Sequence, residues 1–209
     1  MQKGLFITFE GVDGCGKTTQ LTKIKDYLSN EGFDVIITRE PGALDIGQKI
    51  RNILLHYDGF VSDRCEMFLF LADRSQHIDE LIKPSIEEGK IVLCDRYTDS
   101  TIAYQGYGRG QDIELLKQLN KIAANGISPD LTLLFDVSEE IAQERVGNEK
   151  DRMESSGTAF HQKVRNGYLE LQKREPERIK IINANNSIER VFVDTKEIVL
   201  KLIQERRGK

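Results

Sequence analysis

A glycine-rich run near the amino terminus has the spacing of a phosphate-binding loop. Gly11 and Gly16 bracket four residues and precede Lys17 and Thr18, which is the Walker A pattern, directly after the apolar stretch 4–9. Glycines let the backbone fold around an anion, and the following helix adds its positive amino end. Lys17 would reach the β- and γ-phosphates of ATP, and Thr18 would hold Mg²⁺. The alternative is a plain connecting turn, but the strand before the loop favours a site for ATP and Mg²⁺.

An acidic residue, Asp13, lies inside this loop. An acid beside bound phosphates costs repulsion unless a metal or hydroxyl meets it, so we expect Asp13 to meet the acceptor of the phosphoryl group. Cys15 is interpreted as a small residue that fits. The residues predicted to bind the cofactor are Gly11, Val12, Asp13, Gly14, Cys15, Gly16, Lys17, Thr18 and Thr19.

A second polar pair follows the apolar run 90–94. Asp95 and Arg96 stand at the carboxyl end of this predicted strand, the edge where doubly wound sheets bind ligands. Asp95 is predicted to hold Mg²⁺ through water, and Arg96 offers a planar fork for a phosphate or carboxylate. A structural Asp–Arg pair is the alternative. The polar, glycine-rich stretch 100–110 is expected to line the same cleft.

An aromatic–arginine pair is predicted on a helix over 63–88. The predicted buried stripe of this helix consists of Leu71, Ser75, Ile78 and Ile82. At ~100° per residue, Phe70 and Arg74 then share the flank of that stripe and could stack on a base and donate to its carbonyl. Spacing alone favours the alternative, a half-buried ring under a solvated arginine.

The least apolar stretch, 147–157, lies between two helical patterns. It is interpreted as part of a mobile lid over about 145–157. Arg145, Lys150 and Arg152 could bring a cation to the transferring phosphoryl group when the lid closes. Surface charge is the equal alternative.

The elements that must position these residues can be predicted from apolar runs. Strands are predicted at 4–9, 34–38, 90–94, 131–136 and 179–182, with helical spacing between and after them. This alternation indicates an α/β fold with a doubly wound, parallel five-stranded sheet flanked by helices, plus the lid segment. No linker or internal repeat divides the chain, so 1–209 is predicted to be one domain.

Composition excludes several functional classes. The formal net charge of -4 and the pI near 5.6 argue against a nucleic-acid partner. No apolar run approaches the ~20 residues that cross a bilayer. The apolar run at the amino terminus is also too short for a signal peptide. The three cysteines have neither disulfide nor metal-ligand spacing. We therefore expect no nucleic-acid and no membrane partner, and a cytoplasmic enzyme.

Taken together and in this order, the motifs resemble the thymidylate kinase family over essentially the whole chain. The motifs are Phe-Glu-Gly-Val-Asp-Gly-Cys-Gly-Lys-Thr-Thr at 9–19, Thr-Arg-Glu-Pro-Gly at 38–42, Asp-Arg-Tyr at 95–97 followed by Ser100, Ala-Tyr-Gln-Gly at 103–106, and Pro-Asp-Leu-Thr at 129–132. The second and fourth are far more specific than Walker A. The resemblance implies a P-loop kinase fold, phosphorylation of dTMP to dTDP by Mg-ATP in dTTP synthesis, and a homodimer.

The resemblance also implies roles in recognition of the acceptor base. Phe70 would stack on thymine, which reverses the interpretation from spacing alone, and Arg74 would bond the O4 of the base and the phosphate surroundings. Thr101 and Gln105 would complete recognition of the base edge. Tyr104 would pack beside the sugar, where a ribose 2′-hydroxyl would sit.

The resemblance further implies a phosphate subsite and a type of lid. Asp13 would lie near the 3′-hydroxyl and the acceptor phosphate. Residues that would line the phosphate region are Glu40, Arg51 and Arg96. The phosphate loop carries Gly-Cys where some relatives have an arginine, which implies the bacterial-like type with a lid-supplied cation. Arg152, in the Asp-Arg-Met-Glu run 151–154, is the first choice for it, with Arg145 or Lys150 in reserve. The predicted catalytic residues are Lys17, Asp13, Arg96 and Arg152.

Two other functions stay open. One is a different P-loop kinase for a nucleoside monophosphate or another small molecule. The other is a nucleotide-dependent switch, but a GTPase of that kind usually carries Asn-Lys-x-Asp, and the Asn-Lys at 120–121 is followed by Ile-Ala inside a helical pattern.

Overall fold

The computed structural model describes residues 4–145, 152–153 and 157–207. These residues form one five-stranded parallel sheet with strand order β2-β3-β1-β4-β5. The strands are β1 (Leu5–Glu10), β2 (Val35–Arg39), β3 (Ile91–Asp95), β4 (Leu131–Asp136) and β5 (Ile179–Asn183). The predicted doubly wound sheet is confirmed, and each predicted strand agrees with the observed one to within one residue at either end.

Helices follow each strand and flank the sheet. They are α1 (Lys17–Asn30), α2 (Asp45–His56), α3 (Asp63–His77), α4 (Lys83–Glu87), α5 (Thr98–Thr101), α6 (Ile113–Ala123), α7 (Glu139–Arg145), α8 (Thr158–Arg174) and α9 (Ile188–Arg207). Two π-helical segments, Ile78–Ile82 and Ile102–Gly108, continue α3 into α4 and extend α5. In the described part of the chain, no helix is long and apolar enough to cross a membrane.

The buried face of α3 differs from the predicted one. The buried line runs through Met67, Leu71, Arg74 and Ile78, at helical spacings of four and three, whereas Ser75 is exposed. The assignment of Ser75 to the buried stripe was wrong, because Arg74 takes that place. The buried guanidinium of Arg74 is stabilised by polar partners that the sequence pattern does not show, as described below.

Parallel pairing gathers the polar strand ends at one edge of the sheet. Asp95 lies opposite Phe9 of β1 on one side and Arg39 of β2 on the other. The segments that leave these three strands, which include the phosphate loop and Glu40, therefore begin side by side. This is the edge at which open α/β sheets bind ligands.

Candidate active site

The phosphate loop curls around its own lysine. Gly11, Gly14 and Gly16 have positive φ angles of 141°, 76° and 89°. A Cβ on Gly11 would lie 2.5 Å from the carbonyl oxygen of Phe135, so this position requires glycine. Nζ of Lys17 donates to the carbonyl oxygens of Gly11 and Val12, at 3.1 Å each. The loop thus holds the lysine at the amino end of α1, where an anion would bind.

The two predicted Mg²⁺ residues lie together beside this loop. The hydroxyl of Thr18 donates to Oδ2 of Asp95 at 3.3 Å. The other oxygen, Oδ1 of Asp95, is buried and has no hydrogen-bond partner among the described residues. Hard oxygen ligands suit Mg²⁺, which keeps several waters and needs few protein ligands when phosphates are present. These residues fit the cation.

Arg96 joins the end of β3 to the phosphate loop. Its Nη2 donates to Oδ1 of Asp13 at 2.5 Å, and its Nη1 donates to the carbonyl oxygen of Gly11 at 3.0 Å. Tyr104 donates its hydroxyl to Oδ2 of Asp13 at 3.1 Å. Burial alone would raise the pKa of Asp13, but the charges of Arg96 and Lys17 outweigh it and hold that pKa well below its usual range. The carboxylate is therefore ionised and neutralised by its neighbours.

The backbone of Arg96 is strained. Its φ of 68° lies in the left-handed region that residues other than glycine rarely adopt. Glu10 stabilises the turn that follows Arg96. Oε1 of Glu10 accepts from the backbone N–H of Tyr97 at 2.8 Å and from that of Ser100 at 3.3 Å. Oε2 of Glu10 accepts from the hydroxyls of Ser100 at 2.6 Å and Tyr168 at 2.8 Å. Strain that persists at a ligand edge is typical of a functional position.

A cavity opens between α3, the segment after β3 and the phosphate loop. It is lined by all the residues predicted to contact the acceptor: Glu40, Arg51, Phe70, Arg74, Arg96, Thr101, Tyr104 and Gln105. The structure thus brings together side chains that are up to 65 positions apart in the sequence. Their individual roles stay predictions.

A second cavity lies over the phosphate loop. Lys17, Thr18 and Asp95 line it, as do Arg39 and Arg145. The two cavities share four residues, which are Asp13, Glu40, Arg51 and Arg96. A group held in the first cavity can therefore meet a phosphate held in the second at this shared boundary.

Arg74 lines the first cavity, and its guanidinium is fully buried in a polar network. Its Nε and Nη2 each lie 2.8 Å from Oε2 of Glu40. Its Nη1 donates to the hydroxyl of Thr101 at 2.9 Å and to Oδ1 of Asn120 at 2.5 Å. Burial disfavours the charged form, but the carboxylate of Glu40 outweighs it, and the pKa of Arg74 is raised. The expectation of a solvated arginine was wrong for this reason.

Sequence reasoning missed several residues of the site. No histidine was predicted to belong to the site, yet the ring of His77 lies 3.0 Å from Oε1 of Glu40 and 2.6 Å from the hydroxyl of Thr38. A histidine one turn after Arg74 on the same helix face was the available signal. For Asn120, Glu10 and the buried carboxylate of Glu66, no local pattern would have indicated a contact with the site.

Most of the predicted lid, including Lys150, Asp151 and Glu154, lies outside the described residues. Arg152 is described, and its guanidinium lies 2.6 Å from Oε2 of Glu66 and 2.7 Å from the carbonyl oxygen of Leu54. Arg145 lines the phosphate cavity and donates to the carbonyl oxygen of Ala184 at 3.1 Å. Arg145 is thus among the residues that line the cavity over the phosphate loop, and Arg152 is not.

A phosphate loop and a neighbouring cavity that share Arg96 at their boundary are typical of a P-loop kinase for a small phosphorylated acceptor. Residues 9–194 match the family model described as thymidylate kinase. A thymidylate kinase of Desulfovibrio desulfuricans is 44% identical over 98% of this chain and 99% of the relative. One of Thermoanaerobacter sp. is 46% identical over 96% of this chain and all of the relative.

A solved structure agrees with these relatives. The crystal structure of thymidylate kinase from Ehrlichia chaffeensis superposes with a TM-score of 0.79 and 36% identity over 95% of this chain and 99% of the other. The chain belongs to the thymidylate kinase family. The predicted family, the P-loop kinase fold, the ATP-dependent phosphotransferase class and the cofactors ATP and Mg²⁺ are thereby confirmed.

Proposed function

We propose that the protein transfers the γ-phosphoryl group of Mg-ATP to dTMP and forms dTDP for dTTP synthesis. The single observation that carries this proposal is the pair of cavities that meet at Asp13, Glu40, Arg51 and Arg96. An acceptor phosphate at that boundary would face a γ-phosphate bound at Lys17. Aligning the acceptor phosphate with the γ-phosphate, together with neutralising their charge, is the main contribution of a protein to phosphoryl transfer.

The acceptor phosphate needs no general base. The second pKa of a phosphate monoester is about 6, so its oxygen is already largely ionised near neutral pH. The chain's task is to gather positive charge around the reacting oxygens, which Lys17 and Arg96 would do together, since both side chains donate to the carbonyl oxygen of Gly11. Thr18 and Asp95 would hold Mg²⁺, which would supply positive charge that neutralises the ATP phosphates. Because Arg96 already neutralises Asp13, the loop's acid does not repel the incoming phosphate.

The base end of the acceptor cavity fits a pyrimidine with a carbonyl group. Phe70, half-buried at the cavity wall, would stack on the ring. Arg74, held by Glu40, would donate to O4, and Thr101 and Gln105 would contact the rest of the base edge. Tyr104 would fill the space beside the sugar where a 2′-hydroxyl would sit, since its hydroxyl is held by Asp13.

The lid would supply the last cation, and two residues compete for this role. Arg152 follows from the family resemblance, but to reach the phosphates it must leave Glu66. Arg145 already lines the phosphate cavity. Separate replacement of each by methionine identifies the donor, because loss of a catalytic arginine lowers kcat ~10³-fold, whereas loss of a lid contact costs far less.

We further propose that the chain, as one domain over 1–209, works as a cytoplasmic homodimer without a nucleic-acid partner. Large apolar side chains remain exposed on and beside the adjacent helices α2, α3 and α6. They are Ile46, Ile53, Phe60, Phe68, Leu115 and Ile122. A second copy would cover this face, since exposed patches of that kind mark protein interfaces. Analytical ultracentrifugation should give twice the chain mass, and Phe68→Glu should give the monomer.

Incubation of the purified protein with Mg-ATP and dTMP tests the activity directly. We expect dTDP and ADP in equal amounts, and little ADP when dTMP is left out. Turnover of another monophosphate with no dTDP formed would contradict the proposal and favour a different small-molecule kinase. Rapid GTP hydrolysis without any acceptor would favour a switch.

A further inference from the structure

Glu66 is a buried carboxylate in the first turn of α3 that no step of the proposed reaction uses. It is fully buried, and its partners come from two other segments. Oε1 accepts from Nε2 of Gln105 at 2.9 Å and from Nε of Arg109 at 3.3 Å. Oε2 accepts from Nη2 of Arg109 at 3.4 Å and from Nη2 of Arg152 at 2.6 Å. Two positive charges therefore face the carboxylate, and one neutral amide.

The contact with Glu66 determines which way the amide of Gln105 points. A carboxylate only accepts hydrogen bonds, so the amide must turn its nitrogen to Glu66. Gln105 also lines the acceptor cavity, next to Thr101 and Arg74. With its nitrogen held by Glu66, the amide has its carbonyl oxygen left for the cavity. The base end of the cavity thus combines a donor, Arg74, with an acceptor, Gln105.

We propose that Glu66 is a positioning residue that sets the base selectivity of the acceptor site by fixing the amide of Gln105. This inference rests on the proposed function. Thymine carries a ring N–H beside the O4 carbonyl, which complements an acceptor beside a donor. Cytosine carries an unprotonated ring nitrogen beside an amino group. The amide oxygen of Gln105 would then face a second acceptor, the ring nitrogen, and Arg74 would face a second donor, the amino group. The site therefore rejects cytosine through Glu66, which does not touch the base.

The decisive variant is Glu66→Gln, because an amide at position 66 can accept or donate and no longer dictates the orientation of Gln105. The ratio of kcat/KM for dTMP to that for dCMP should fall about tenfold, the worth of one hydrogen bond lost or opposed. A ratio within twofold of wild type would overturn the inference. The loss of the Arg152 contact should lower kcat for both acceptors alike, so a change in overall rate does not affect the ratio.

Asp63→Asn is the matched control. Asp63 lies in the same helical turn and its carboxylate is 3.7 Å from Nε of Arg109, but among the described residues it makes no contact with Gln105. Its variant removes the same charge and should keep the wild-type ratio. A fall equal to that of Glu66→Gln would overturn the inference, since the effect would then come from charge near Arg109.

A second background separates positioning from general loosening of the site. In Gln105→Leu, the ratio should already be low, and adding Glu66→Gln should change it no further. A further fall would mean that Glu66 acts by another route and would contradict the inference. If Glu66→Gln does not fold, as judged by circular dichroism, Glu66→Asp keeps the charge but withdraws the carboxylate from Gln105, and the same fall is expected. Failure of wild type to phosphorylate dTMP would refute the proposed function instead.

Discussion

Nη2 of Arg96 lies 2.5 Å from Oδ1 of Asp13, although 83 positions separate the two residues. The pair ties the end of β3 to the middle of the phosphate loop, at the boundary between the two cavities. An acid in a phosphate loop is tolerable because this arginine neutralises it. In the proposed function, the same guanidinium would face the acceptor phosphate.

Arg96→Lys should lower kcat/KM for dTMP ~10³-fold, because an ammonium cannot hold Asp13, the carbonyl oxygen of Gly11 and a phosphate at once. Steady-state kinetics measure this loss. Arg165→Lys, at an arginine that pairs with Asp136 away from both cavities, is the control and should stay within about twofold of wild type. A fall of less than tenfold for Arg96→Lys would contradict the assignment.

Arg74→Met should destabilise the protein by about 3–5 kcal/mol, because it removes the guanidinium partner of the buried carboxylate of Glu40. Urea unfolding monitored by circular dichroism measures the change in the free energy of unfolding. Arg190→Met breaks an exposed pair with Asp194 and should cost less than about 1 kcal/mol. Equal losses in the two variants would mean that the buried pair has no special weight.

Asp95→Asn should raise the Mg²⁺ concentration needed for half-maximal activity about tenfold or more, because it removes one anionic oxygen from the pair with Thr18. A Mg²⁺ titration at saturating ATP measures this, and EDTA should abolish activity in both proteins. Asp136→Asn is the control, since that carboxylate also ends a strand but pairs with Arg165. An unchanged titration for Asp95→Asn would exclude Asp95 as a metal residue.

Glu10 should make stability depend on pH. Burial and the charge of Asp99 raise the pKa of Glu10 from its ordinary 4.5 to about 7, against the hydrogen bonds of Ser100 and Tyr168 and the charge of Arg96. Between these values the unfolded chain ionises at this residue while the folded chain keeps its proton. The contribution of Glu10 is therefore present below pH 4.5 and is lost as the pH rises through about 7.

Glu10→Gln isolates this contribution. Its amide oxygen can accept the two backbone N–H groups, and its nitrogen can donate to the hydroxyls of Ser100 and Tyr168. The unfolding free energy of wild type minus that of Glu10→Gln should fall by about 3 kcal/mol between pH 4.5 and 7.5. Urea unfolding at several pH values measures it. A constant difference would show that Glu10 keeps an ordinary pKa.

Local sequence patterns predicted the elements of this fold well. Each short apolar run in the sequence that was predicted to be a strand is a strand in the structure. The reason is that central strands of a parallel sheet are buried on both faces and have few polar residues. The phosphate loop and the Asp-Arg pair at the end of β3 could also be predicted, since their chemistry depends on residues that are adjacent in sequence. The acceptor residues came from family resemblance, and the structure brings them to one cavity.

Contacts between distant segments could not be predicted in this way. The burial of Arg74 depends on Glu40 and Asn120, which are 34 and 46 positions away. Hydrophobic spacing placed Ser75, and not Arg74, in the buried stripe of α3. Periodicity treats every arginine as solvated, because it contains no information about polar partners on other elements. Glu66 and Glu10 are similar: a buried carboxylate is stable only with donors from other elements, and a single sequence does not show which elements meet.

The central claim, a kinase for dTMP, is tested most directly by a steady-state acceptor panel with Mg-ATP, read as kcat/KM. The panel contains dTMP, dCMP, dGMP, dAMP and the ribonucleotide UMP, each at the same enzyme concentration. We predict that dTMP has the highest kcat/KM, at least about 100-fold above dCMP and the purine nucleotides, with UMP disfavoured by Tyr104. A higher kcat/KM for any of the other four acceptors would contradict the account.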